Sequence, residues 1–233
     1  MNINKEIEDL RNLFQTHSDS RKAVQMENYM KNNFPFFGLQ APLRRTIQTN
    51  WLRSQKGLKL EQKWELIFEL WKQNEREFQL TAVDWLMTWN KNDWELDDHR
   101  KLEQLITTKS WWDTVDLLAS NCVSVYIRLF FDNNKNTFIS NWKNSNNVWL
   151  QRTCLLFQLK YKSNVDIQLL NELIAAFHQN KDFFIQKAIG WSLRELSKTF
   201  PNQTNEIIAK YSLEGLAKRE ALKWISKHNI QLG

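Results

Sequence analysis

The run TTKSWWDTVD, residues 107 to 116, holds the residues of this chain best spaced for chemistry. Trp112 and Asp116 stand four residues apart, so on a helix they lie one above the other on the same face. An indole beside a carboxylate suits a cationic substrate, because the ring face attracts positive charge and the carboxylate stabilises it. Asp113 reads differently. Ser110 is placed to N-cap the helix, and Asp113 three residues later to complete the capping box. Trp149, before Leu150-Gln151-Arg152, and Trp191, after Gly190, are the other indoles open to a role in a site. Gly190 is a poor interior helix residue and permits another backbone or a ligand to come close. Trp51, Trp64, Trp71, Trp85, Trp89, Trp94 and Trp111 occupy apolar helical positions and are expected in the core.

Other chemistries lack their residues. The five glycines are scattered, so neither a dinucleotide-binding loop nor a phosphate-binding P-loop can be written. His17, His99, His178 and His228 form no metal-binding pattern and are expected at the surface or at helix ends. There is no GxSxG elbow for a serine nucleophile. Cys122 and Cys154 are too few for a disulfide framework and read as buried thiols in a reducing compartment. No metal and no cofactor is expected; carboxylate, arginine, lysine and aromatic side chains remain.

The elements that position these groups are helices. Five Gly and three Pro make up about 3% of 233 residues, against roughly 12% on average, too few for the tight turns of sandwiches and barrels. Apolar residues recur at helical spacing, as in Ala82, Val83, Leu86 and Met87. Breaks fall at HSDS (17 to 20), SQKG (54 to 57), NKND (90 to 93), DNNKN (132 to 136), NSNN (144 to 147) and YKSN (161 to 164), giving about a dozen helices. No segment has the apolar run of a membrane span or signal peptide, so a soluble cytoplasmic protein is expected.

Internal similarity organises the helices. RRTI from Arg44, QLTA from Gln79, WDTVD from Asp113, QRTC from Gln151, QKAI from Gln186 and KREA from Lys218 read as one helix position repeated every 32 to 38 residues. Two helices per such period make an α-solenoid of HEAT-like pairs, here taken as one curved domain over residues 1–233. The next residues are Arg45, Leu80, Thr114, Arg152, Lys187 and Arg219, four of them basic. Aligned along a concave wall, they concentrate the net charge of +6 into a stripe suited to a phosphate backbone. An ordinary solvated helix face accounts for the same residues.

At YMKNNFPFFGLQAP (29 to 42), TKSWWDTVD (108 to 116), NVWLQR (147 to 152), FFIQKAIGW (183 to 191) and KREA (218 to 221), the chain closely resembles the AlkD-type alkylpurine DNA glycosylases, a HEAT-like-repeat family. The resemblance implies hydrolysis of the N-glycosidic bond of N3- and N7-alkylated purines in double-stranded DNA, by a monomer, without complete rotation of the base out of the helix. It implies Asp116 as the catalytic carboxylate, Trp112 and Trp191 as the indoles that pack on the lesion's deoxyribose, Arg152 as the group holding the backbone at the lesion, and Tyr29 as a further cleft aromatic. Arg45, Lys187 and Arg219 are expected phosphate contacts. A location in the cytoplasm, on the nucleoid when bound to DNA, goes with this. Two other functions fit the same architecture: a catalytically silent DNA-binding relative, or a protein-binding scaffold.

Overall fold

The computed structural model describes residues 2–130 and 137–230; the DNNKN cluster and Gly233 lie outside the described residues. The described residues are helical and contain no strand. The fourteen α-helices among them are α1 (Ile3–Thr16), α2 (Ser20–Tyr29), α3 (Ala41–Ser54), α4 (Leu60–Lys72), α5 (Arg76–Leu86), α6 (Asp98–Thr107), α7 (Trp112–Leu117), α8 (Ser124–Phe130), α9 (Thr137–Asn144), α10 (Val148–Leu156), α11 (Ile167–Phe177), α12 (Phe183–Ser197), α13 (Pro201–Lys210) and α14 (Gly215–Lys227). No helix among the described residues is long and apolar enough to cross a membrane. The chain divides into two compact units, Met1–Asp93 and Trp94–Gly233.

The polar clusters do more than interrupt helices. Asp19 of HSDS accepts from the N–H groups of Arg21 and Lys22 and caps α2. Asn147 of NSNN caps α10 through Trp149 and Leu150, and Asp182 caps α12 through Phe184 and Ile185. Each satisfies donors that a helix start leaves open. His17, His178 and His228 are the C-cap residues of α1, α11 and α14.

The aligned segments fall on α3, α5, α7, α10, α12 and α14. Arg44, Gln79, Gln151, Gln186 and Lys218 are each the fourth residue of their helix, and Asp113 is the second of α7. Within each unit these helices are neighbours: α3 packs on α5, α10 on α7 and α12, and α12 on α14. Repetition in sequence is thus repetition in packing, as in HEAT-like pairs.

The three aligned glutamines share one task. Each side-chain amide donates to the carbonyl six residues earlier: Gln79 to Gln73 at 2.7 Å, Gln151 to Ser145 at 2.6 Å and Gln186 to Asn180 at 2.5 Å. A glutamine at this position therefore closes the turn before its own helix, covering carbonyls that the preceding helix leaves unpaired.

In the first unit, Glu77 is fully buried and accepts the N–H groups of Phe37, Gly38 and Leu39, pinning the loop before α3. Burial pushes its carboxyl above the ordinary value against those three hydrogen bonds. In the second unit, α12 and α14 approach closely at Gly190. A Cβ there would lie 2.4 Å from Cβ of Glu220 and 2.8 Å from the carbonyl of Ala217. The close approach expected at Gly190 is that of a neighbouring helix.

The core takes Trp51, Trp64, Trp71, Trp85, Trp89 and Trp94, all buried. Trp111 is only half-buried, because it sits at the edge of the polar site described next. Cys122 and Cys154 are free, buried thiols, and burial pushes that of Cys122 up to about 12.

Candidate functional site

The site forms in the second unit where α7, α10 and α12 meet. The start of α7 differs from the sequence expectation. Ser110 does not cap it: its hydroxyl donates to the carbonyl of Ile106 at 2.6 Å, and the N-cap position belongs to Trp111 with no side-chain cap. The hydroxyl turns back to an α6 carbonyl rather than forward to the N–H groups that open α7. Asp113 is buried in the first turn of α7, where an acid complements the helix dipole.

Asp116, one turn further on, carries the site's geometry. Arg152 donates from Nε to one carboxylate oxygen at 2.7 Å and from Nη2 to the other at 2.8 Å, a bidentate fork. Its Nη1 donates to the main-chain carbonyl of Phe184 on α12. Arg152 is thereby 1% exposed, whereas the Asp116 side chain keeps 16% of its surface open. The guanidinium holds the carboxylate from behind, and the open side of the carboxylate retains acceptor capacity.

Burial moves Asp116 above the ordinary carboxylate value. The hydrogen bonds and charge of Arg152 oppose this, Asp113 adds to it, and Lys187 opposes it. Two other carboxylates on aligned helices behave differently. Asp84 on α5 is buried too, but Arg45 and Arg44 outweigh that burial and hold it below its ordinary value. Glu220 on α14 is likewise held low: burial is outweighed by Lys223, Arg194 and Lys187. Asp116 is the one of these three whose burial prevails.

Trp191 forms the adjoining wall. It is half-buried, with Arg152, Lys187 and Arg194 placed 5.4, 5.3 and 5.6 Å from its ring centroid. Lys187 also lies 5.4 Å from the ring of Phe183, which is exposed. Behind Arg152, Trp111, Trp149 and Phe184 pack ring on ring at 4.8 to 5.6 Å, fixing the Phe184 carbonyl that anchors the guanidinium. Trp149 therefore serves as packing. Trp112 is half-buried one turn before Asp116 on α7.

The expected site residues are distributed as follows. Asp116, Arg152, Lys187 and Trp191 come together, with Trp112 on the same short helix as Asp116. Arg219 is exposed on α14. Arg45 and Tyr29 belong to the first unit. Arg45 is forked onto Asp84 at 3.1 to 3.2 Å with its side chain half exposed, and Tyr29 is 67% exposed. The four basic positions of the aligned register thus differ: Arg152 is buried and committed to Asp116, Arg45 is exposed but shared with Asp84, Lys187 is half-buried beside Trp191, and Arg219 is exposed. Phe184 and Arg194 received no role from sequence reasoning. Phe184 acts through its main-chain carbonyl, which side-chain type does not reveal; Arg194 sits three residues beyond Trp191, within reach of its ring on the same helix face.

Helix pairs in repeat register, with a carboxylate–guanidinium fork set against indoles on the aligned helices, define a helical-repeat protein with a polar site in this unit. A family model for DNA alkylation repair enzymes matches residues 10–225, and the chain belongs to that family. A solved structure of a predicted DNA alkylation repair enzyme from Enterococcus faecalis is similar at 30% identity and a TM-score of 0.80, over 90% of this chain and 97% of that one. Comparison with curated proteins gives no match. The chain's role is accordingly in DNA repair, with DNA as substrate or partner.

Proposed function

We propose that this protein is a monofunctional DNA glycosylase, acting as a monomer, that hydrolyses the N-glycosidic bond of cationic N3- and N7-alkylated purines in duplex DNA. The observation that carries the reading is the Asp116–Arg152 fork: a carboxylate fixed on two oxygens, open on one side, next to Trp191.

The chemistry follows from the lesion. An N3- or N7-alkylated purine already bears positive charge, so it leaves as a neutral base and needs no strong general acid. The remaining task is to stabilise an oxocarbenium-like sugar and place a water. The ionised Asp116 does both, and indole faces from Trp112 and Trp191 favour the sugar's positive charge. Arg152 has its donors on Asp116 and Phe184, so its contribution runs through the carboxylate's position. Lys187, Arg219 and Arg45 supply phosphate contacts and Tyr29 a further aromatic one.

Contacts to sugar and backbone leave the base near the stack, so base size is not limited by a pocket. The test is release of the modified base from duplexes carrying N7-methylguanine, N3-methyladenine or a bulky N7 adduct, with undamaged duplex as control. Release from cationic lesions alone supports the reading; no release from any duplex overturns it. A 2-aminopurine signal showing complete extrusion would overturn the part concerning base rotation.

A further inference from the structure

Between α7 and α8 the chain makes a π turn, Leu118–Val123, beginning two residues after Asp116. A π turn bonds each N–H one residue further back than an α-helix does, as Ser124 N–H does with the carbonyl of Ala119. The extra residue rotates everything before the turn against everything after it by about 100° relative to a continuous α-helix.

Two side chains hold the wide turn open. The Ser120 hydroxyl donates to the carbonyl of Asp116 at 2.7 Å, and the Asn121 amide donates to that of Leu117 at 2.8 Å. The same amide reaches the Ser120 hydroxyl at 3.2 Å. These carbonyls lie where the regular helical ladder changes register, and the neighbouring side chains give them partners.

Asn121 is in turn tied to the helix that carries Arg152. Its carbonyl oxygen accepts from Lys160, in the turn that follows α10. One residue further, the Tyr161 hydroxyl donates to the carbonyl of Ser124 at 2.9 Å. The two helical segments are therefore joined on both sides of the π turn: Asp116 to Arg152 before it, Asn121 to Lys160 and Ser124 to Tyr161 at and beyond it. Relaxing the turn to α geometry would break one side of this ladder while keeping the other.

We propose that Asn121 and Lys160 are a positioning pair that fixes the π turn and thereby aims the Asp116 carboxylate at the substrate. This rests on the reading of Asp116 as the catalytic group. Neither residue touches the carboxylate; both act through the register of α7. Misplacement of a reacting group by about 1 Å costs up to ~10²-fold in rate, so a loosened turn is expected to show in the chemical step before it shows in binding.

The experiment uses the full chain with Asn121→Ala, Asn121→Asp and Lys160→Met. Three readouts are taken: single-turnover base release from an N7-methylguanine duplex at saturating protein, affinity for that duplex, and the titration of the Asp116 carboxyl carbon by 13C NMR in the free protein. Asn121→Ala is expected to slow release about tenfold or more with affinity kept within about twofold, and to move the Asp116 titration. Lys160→Met, at an exposed position, is expected to do the same to a smaller extent. Asn121→Asp keeps a partner for Lys160 but loses the donor to the Leu117 carbonyl, so it is expected to stay slow like the alanine variant.

A folded Asn121→Ala protein with the wild-type rate, or with an unmoved Asp116 titration, overturns the proposal; if that variant does not fold, Lys160→Met decides by the same readouts. Should the wild type release no base, the functional reading fails. The Asp116 titration, which needs no activity, then decides the positioning claim alone.

Discussion

Arg152 and Asp116 are joined by two hydrogen bonds of 2.7 and 2.8 Å, yet the arginine is almost wholly buried and the aspartate is not. The asymmetry orients the pair. The cation is sealed between the Phe184 carbonyl and the carboxylate, so positive charge is hidden and negative charge is presented.

Removing the cation should therefore cost both fold and chemistry. Arg152→Ala leaves a largely buried carboxylate without its partner and is expected to lower stability by about 3–5 kcal/mol, read from the urea midpoint. Arg152→Lys keeps the charge but cannot fork onto two oxygens, so it should fall between wild type and alanine. An unchanged midpoint for Arg152→Ala would mean that the fork adds nothing to the fold.

Acid should silence the enzyme earlier than an ordinary carboxylate would. Burial raises Asp116 above its usual value, and the proposed reaction needs the ionised form. Single-turnover base release is thus expected to fall as pH drops through a midpoint above ~3.9, the ordinary aspartate value. The stability sign is opposite. A folded-state pKa above the unfolded one means the folded protein holds that proton more tightly, so this contribution favours folding at low pH and is lost as pH rises through the folded pKa. Asp116→Asn should remove both dependences; an acid limb surviving in that variant would belong to another group.

How much of this was legible beforehand depends on what holds each residue. The helix pairs were readable because the helix-start glutamines and apolar faces repeat. What Gln79, Gln151 and Gln186 do was not, since their bonds run to main-chain carbonyls in the preceding turn. Asp116 and Trp112 were marked by their spacing. The π turn was hidden, because LASNCV has the composition of an ordinary helix and its register is set by contacts from Lys160 and Tyr161. Ser110 misled as a cap since its sequence context fits one, while its hydroxyl donates to the α6 carbonyl of Ile106 and Trp111 takes the N-cap position.

The contact of α12 with α14 leaves no space at Gly190. Gly190→Ala places a Cβ within 2.4 Å of Glu220 and should destabilise by about 1–3 kcal/mol. Trp191 is the next residue, so the thermal midpoint should fall and the indole fluorescence shift together. A neutral effect on both would show that the two helices separate easily.

Salt should distinguish the cations proposed to meet phosphate from the buried one. If Lys187 and Arg219 meet phosphates, replacing either by alanine lowers the slope of log affinity against log salt by about 0.9. Fluorescence anisotropy with a duplex at several salt concentrations measures it. Arg45 is expected to give a smaller change because Asp84 already holds it. Duplex binding indifferent to salt would contradict these phosphate contacts.

The central claim is that the Asp116 carboxylate performs the chemistry, and Asp116→Asn tests it most directly. Single-turnover release of N7-methylguanine from a duplex, measured beside the affinity for that duplex, is the decisive pair of readings. The account predicts a fall in rate of about 10²-fold or more with DNA binding retained. A folded Asp116→Asn protein that releases the base at the wild-type rate would contradict it.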